Sequence, residues 1–308
     1  MPRARRIGAS AAAAAAAALA LAGCGLGAGS APSDVSVLVT NDFGAQTVLA
    51  SSRPKIVGAD TVMRMLERNA RVTTSYGGGF VDSIDGLGGG GATAWFYYVN
   101  GVLAAKGAAA TKLHSGDHVW WDRHDWSAAE TVRAVVGSFP EPFANGIAGK
   151  HLPLRIECTT GVKAACTAVQ SAFAKIGLAA FEGCLLCAEF NDTLRVVVAP
   201  WSALAADPTA QLLAQPPSSS GVFARFVDGG RRLELLDQGG RVVRTLGAGA
   251  GLIAATARGS GPPSWYVTGT DRAGVSEALL AFNAATLDDH FAVAVADDAA
   301  IPLPDEAP

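Results

Sequence analysis

Four cysteines and one Asp-x-His pair are the residues best placed to do chemistry. Cys184-Leu-Leu-Cys187 has the spacing of a dithiol redox motif. With Cys158 and Cys166 it supplies four sulfur donors, as a structural zinc site requires. In "WDRHDW", Asp122 and His124 stand two apart and share a face if this is a strand, the beginning of a metal or hydrolytic site. Gly269-Thr270-Asp271, before a helical pattern, invites a phosphate at a helix N-terminus. Each also has a plainer reading. The motif holds leucines between its cysteines and lacks a flanking Trp or Pro, unlike a thioredoxin-like site. Outside the cytosol thiols oxidise, so Cys158, Cys166, Cys184 and Cys187 are expected in two structural disulfides, with all three pairings open. "WDRHDW" reads as the end of an edge strand whose charges discourage edge pairing. One glycine before Thr270 is an ordinary strand-to-helix connection. No GxSxG, HExxH or P-loop pattern occurs, so the expectation is a protein that is not an enzyme, with no catalytic residue, metal site or catalytic cofactor.

The compartment is read from the start of the chain. Arg3, Arg5 and Arg6 precede an apolar run from Ala11 to Ala22. A basic segment, a short apolar run and small residues describe a secretory signal peptide; a spanning helix needs about 20 apolar residues. Leu21-Ala22-Gly23-Cys24 resembles a bacterial lipobox. That resemblance implies cleavage after residue 23, acylation of Cys24, and tethering to the extracytoplasmic face of a cell membrane. Residues 24–33 read as a flexible tether. The whole chain has 24 Lys+Arg against 27 Asp+Glu, a formal charge of −3, and removal of the three leader arginines makes the balance more acidic. Nucleic acid is therefore not an expected partner.

The pattern that follows has two parts. Val35, Val37 and Val39 alternate with Ser36, Leu38 and Thr40 as in a strand, followed by a variable turn region. "ADTVMRMLERNARV" predicts a helix capped by Asp60 or Thr61, with Val62, Met65 and Leu66 on one face. "SIDGL" and "AWFYYVNGVLA" predict strands, with a hairpin at Asn100-Gly101, and His118 to Asp122 a last strand. A helix covering one face of a sheet is the economical arrangement. Residues 34–126 make this first domain, 127–150 a linker, 151–300 a separate α/β domain, and 301–308 a tail. In the second domain "HLPLRIEC" and "TLRVVVAPW" are strands and "VKAACTAVQSAFAKIG" a helix ended by Gly177. Short helical structure is expected near Ala203 to Leu213, with "PPSSSG" a loop. "VFARFV" and "RRLELLDQGGRVVRTLG" are strands, and "SWYVTGTDRAGVSEALLAF" is a strand, turn and helix. The fold class is α+β.

The stretch "TSYGGGFVDSIDGL", then "WFYYVNGV", "GAAATKLHSGDHVWW", resembles the transcobalamin C-terminal-like domain of bacterial exported proteins. The resemblance spans roughly Val35 to Trp126. It implies a β-grasp-like sheet crossed by one helix, related to the smaller lobe of vitamin B12 carriers. By that resemblance Tyr76, Gly78, Phe80, Trp95 and Tyr97 are the candidate ligand contacts, with cobalamin or another corrinoid as ligand. The sequence departs from those carriers in having no helical-barrel partner and a more tyrosine-rich aromatic strand.

Alternation along that strand puts Trp95, Tyr97 and Val99 on one face and Phe96 and Tyr98 on the other. One set must pack on the helix. The other is either an exposed binding face or is covered by the C-terminal half. Three functions are therefore carried forward. The first is a lipid-anchored extracytoplasmic binding protein that takes up a corrinoid or other flat small molecule with a membrane transporter. The second is a cell-surface structural or interaction protein without a small ligand. The third is a thiol-disulfide oxidoreductase acting through Cys184 and Cys187.

Overall fold

A computed structural model describes residues 29–185 and 192–306. The expected signal peptide, the expected lipidation position Cys24 and the first part of the expected tether lie outside the described residues. So does Cys187. The fold is α+β, with an N-terminal sheet region followed by a larger mixed sheet with helices.

Strands β1 (Ser36–Asn41) and β2 (Gln46–Ser51) form an antiparallel hairpin. Helix α1 (Val62–Asn69) crosses the sheet. Thr61 caps it by accepting from Arg64 N at 3.4 Å, and Asp60 instead pairs with Arg68 at 2.9 Å. A small antiparallel sheet follows, β3 (Val72–Ser75), β4 (Phe80–Ile84) and β5 (Leu87–Gly88). The aromatic strand β6 (Thr93–Val99) turns at Asn100-Gly101 into β7 (Val102–Leu103). Both turn residues have positive φ, 54° and 71°, as the hairpin requires. Strand β8 (His118–Asp125) returns between β1 and β6, parallel to the first and antiparallel to the second. The sheet order β2-β1-β8-β6-β7, with first and last strands paired in parallel at the centre and one helix across, is the β-grasp arrangement.

Two expectations change here. The turn region after the first strand holds β2, a full hairpin partner. β8 is central and not an edge: Arg123 pairs in register with both Asn41 and Trp95. The charges of "WDRHDW" therefore sit inside the sheet, where Asp122 and His124 are buried, and cannot be a guard against edge pairing.

The second half is built on seven strands in the order β10-β9-β11-β16-β15-β17-β18. β9 (Leu154–Cys158), β10 (Ala180–Gly183), β11 (Leu194–Pro200) and β16 (Ser264–Gly269) run parallel. β15 (Gly251–Thr256), β17 (Ala292–Ala296) and β18 (Ala299–Leu303) extend the sheet antiparallel. Helices α2 (Lys163–Lys175) and α3 (Arg272–Leu280) cover one face. Asp271 caps α3 by accepting from Gly274 N at 2.9 Å. A meander of β12 (Ala224–Val227), β13 (Arg232–Leu236) and β14 (Val242–Leu246) packs on the other face. The "PPSSSG" loop contains a helical turn, Pro217–Ser220. The expected tail is ordered: Ile301 to Leu303 belong to β18, and Asp305 is buried beside Arg244 at 3.0 Å.

The halves share a core. Leu38, Phe43, Tyr98 and Trp120 of the first sheet pack in one cluster with Val197, Phe223, Tyr266 and Phe291 of the second half. Residues 127–150, expected as a linker, run as a strap through this junction. Ala129, Val132 and Val135 join the shared core, and Val135 N donates to Gly101 O at 2.9 Å. Burying each such apolar side chain contributes about 1.5–3 kcal/mol, so the strap and both halves stabilise one another.

Candidate functional site

The two faces of β6 have different surroundings. Trp95 and Tyr97 are 6% and 8% exposed, in the core under α1 with Met65 and Leu66. Tyr97 stacks on Trp121 at 4.7 Å. Its hydroxyl donates to Lys106 O and shares a hydrogen bond with Thr111 Oγ1 at 2.8 Å, and burial raises its pKa. The expectation that Trp95 and Tyr97 line a ligand surface is thus corrected in geometry: alternation groups them correctly, but theirs is the helix side. Phe96 and Tyr98 turn to the C-terminal half, where Tyr98 meets Phe291 edge-on at 5.8 Å. Burial, then the Asp122 charge, pushes the Tyr98 hydroxyl well above its ordinary pKa.

At the junction lies the polar cluster of β8. Asp122 accepts at one carboxylate from Thr40 Oγ1 (2.5 Å), Gly44 N (3.0 Å), Phe43 N (3.1 Å) and His124 Nδ1 (2.8 Å). Thr40 Oγ1 in turn accepts from Trp120 Nε1 at 2.7 Å. The His124 ring is sandwiched between Phe43 at 4.5 Å and Phe96 at 4.4 Å. Its Nε2 is buried without a hydrogen-bond partner among the described residues. Such a dyad resembles a catalytic pair in spacing, yet here it fixes the β1–β2 turn and seats Phe43 against Phe223 and Phe291.

A second polar cluster lies within the large sheet. Arg195 Nη2 donates to Glu157 Oε2 (2.7 Å) and Asp207 Oδ2 (2.5 Å), and Arg155 pairs with Glu157. Burial opposes the Arg195 charge, but its hydrogen bonds with Glu157 and Asp207 hold its pKa above the ordinary value. Two cations balance two anions, as buried charge requires.

An open cleft of about 490 Å³ lies at the far end of the first unit, bounded by Phe80, Asp82, the glycine loop 89–91, Thr93, Ala94 and Trp126. β4 supplies Phe80 and Asp82, whose side chains share a face two residues apart. β6 begins at Thr93, and Trp126 follows β8. Phe80 is 45% and Trp126 39% exposed; nearby in the chain, Tyr76 is 91% exposed. Gly90 and Gly91 have φ of 154° and 63°, and a Cβ on either would meet nothing within 4 Å. The loop therefore presents bare backbone to the cleft. Gly89 N donates to Asp82 O at 2.9 Å. Arg123 ties the loop from behind, donating to Gly88 O (2.6 Å), Asn41 Oδ1 (2.9 Å) and Thr93 Oγ1 (3.2 Å). The structure thus brings Phe80 to a cleft, leaves Tyr76 and Gly78 on the open loop before it, and separates all three from Trp95 and Tyr97. Asp82 and Thr93 escaped the sequence reading. The i, i+2 spacing of Asp82 from Phe80 was the available signal.

Cys158 and Cys166 form a disulfide between the end of β9 and α2, Cα–Cα 6.0 Å. Cys184 is also disulfide-bonded. No group of three or more His, Cys, Asp or Glu is arranged for a metal ion among the described residues. No helix among them is long and apolar enough to cross a membrane.

Residues 59–125 match the sequence model of a family described as a domain of unknown function (DUF4430). The matched span runs from the approach to α1 to the end of β8, and leaves out the β1–β2 hairpin and the whole second half. No curated protein matches the chain.

Proposed function

We propose that this is an exported binding protein, lipid-anchored through Cys24 on the extracytoplasmic face of the membrane. It takes a flat organic ligand in the cleft between Phe80 and Trp126, for delivery to a membrane transporter. The observation that carries the reading is the placement of two exposed aromatic rings on either side of a bare glycine loop. Other aromatics of the first unit are consumed in cores: Trp95, Tyr97, Tyr98, Trp120 and Trp121 are all buried. Large aromatic area beside adaptable backbone is what small-molecule sites use, and a volume of about 490 Å³ falls within their usual range. The resemblance to transcobalamin-like domains makes a corrinoid the first ligand to try. A cleft of this size would take one edge of a corrin ring.

Among the described residues, Trp126 is the exposed tryptophan, the other five being buried. Titration of the protein with cyanocobalamin, corrected for inner-filter absorption, should give saturable quenching in the wild type and none in Trp126→Phe. Absence of quenching at tens of micromolar removes the corrinoid. A second reading, a cell-surface interaction protein, draws on Val242 and Val243, exposed on β14 at the edge of its three-stranded sheet. Such an edge is open to strand pairing with a partner.

A further inference from the structure

We infer that the cleft selects ligands presenting a positively charged nitrogen, with the Asp82 carboxylate as its counter-ion; this rests on the reading that the cleft binds a small molecule. Asp82 is the ionisable side chain among the residues bounding the cleft. It is held in place from two sides. Ser75 Oγ donates to its Oδ1 at 2.8 Å, and its backbone carbonyl accepts from Gly89 N. Oδ2 accepts no hydrogen bond from the described residues, so it is left for a ligand. Phe80 and Trp126 line the same space and are both exposed, and the negative face of an aromatic ring attracts a cation.

Arg123 lies outside the cleft wall and spends its donors on Gly88, Asn41 and Thr93. Asp125, which pairs in register with Thr93 and precedes Trp126, adds a second carboxylate beside the same rim. Two carboxylates against one committed guanidinium leave the cleft negative, as the whole chain is at −3. An anionic ligand would meet that field with no cationic side chain in the cleft wall, and the Thr93 hydroxyl already donates to Gly90 O at 2.8 Å, which leaves the neutral Trp126 indole N–H as a side-chain donor. A planar cation would stack on the rings and place its charge against Asp82.

The test is calorimetric titration of the full chain with two probes of matched size, 1-methylquinolinium and 2-naphthalenesulfonate. The cation should bind about tenfold tighter than the anion, as cation–π and partly screened charge contacts together allow. Asp82→Asn, which can still accept from Ser75, should bring the two within about twofold, while Asp82→Glu should keep the preference. Trp126→Ala should weaken both probes. Equal binding of the two probes by the wild type, or an unchanged ratio in Asp82→Asn, overturns the inference. If both probes bind without preference and Trp126→Ala weakens both, only the charge selection falls. If neither binds, the binding reading falls with it.

Discussion

The Asp122 carboxylate receives four donors in a place that water does not reach. Removing it would strand His124, Thr40 and two backbone N–H groups together. Asp122→Ala is expected to cost about 3–5 kcal/mol, because several buried donors lose their acceptor at once, read as a lower urea midpoint at unchanged slope. Burial, then the Asp288 charge, raises the pKa of Asp289 to about 6, above the unfolded value near 3.8. The folded state therefore holds the proton more tightly, so the carboxyl favours folding below about pH 4 and that contribution is lost as pH rises through 6. At neutral pH the ionised group is a liability. Asp289→Asn should thus raise stability at pH 7.5 by about 1 kcal/mol, discounted for partial exposure, with a smaller gain at pH 4; thermal melts at both values check it. Sequence spacing showed that Asp122 and His124 share a face. It could not show the face's destination, because polar residues at a strand end read as solvent-facing unless the neighbouring strands are known.

Among the elements, the β1–β2 turn is a tight joint. Gly44 has φ 89°, and a Cβ there would stand 1.9 Å from Asp289 O. Gly44→Ala should therefore cost about 3 kcal/mol or more, since strain and a backbone clash add. Gly91→Ala, at φ 63° with nothing within 4 Å, should cost about 1–2 kcal/mol from backbone conformation alone. Denaturant titration of the two variants separates the cases. The strands most legible in the sequence were those rich in branched and aromatic residues, β1, β6, β9 and β11. Those missed include β2, β3, β10, β15, β17 and β18; alanine is frequent in β15, β17 and β18, and "AVAVA" of β17 alternates but lacks the side chains that mark strands. Helix α1 was legible because Met65 and Leu66 follow Val62 at helical spacing behind a threonine cap.

The molecule as a whole is two sheets closed over one junction. Leu38, Tyr98 and Trp120 pack against Phe223 and Phe291, so neither half presents that face to water. The full chain is expected to unfold in one urea transition seen alike by fluorescence and circular dichroism, whereas residues 29–126 alone should bind ANS through the uncovered face. Two separate transitions, or an ANS-silent fragment, would contradict a shared core. The residue pattern indicated two units. Their joint was not legible, because strand periodicity says which residues go together and not which partner covers them. With both faces of β6 enclosed, the ligand surface proposed here is the glycine-loop cleft. Hydrogen-exchange mass spectrometry of the full chain, with and without saturating cyanocobalamin, tests that most directly. Slowed exchange confined to residues 76–94 and the segment around Trp126 is the predicted result. Unchanged exchange there, or slowing confined to the C-terminal half, would contradict it.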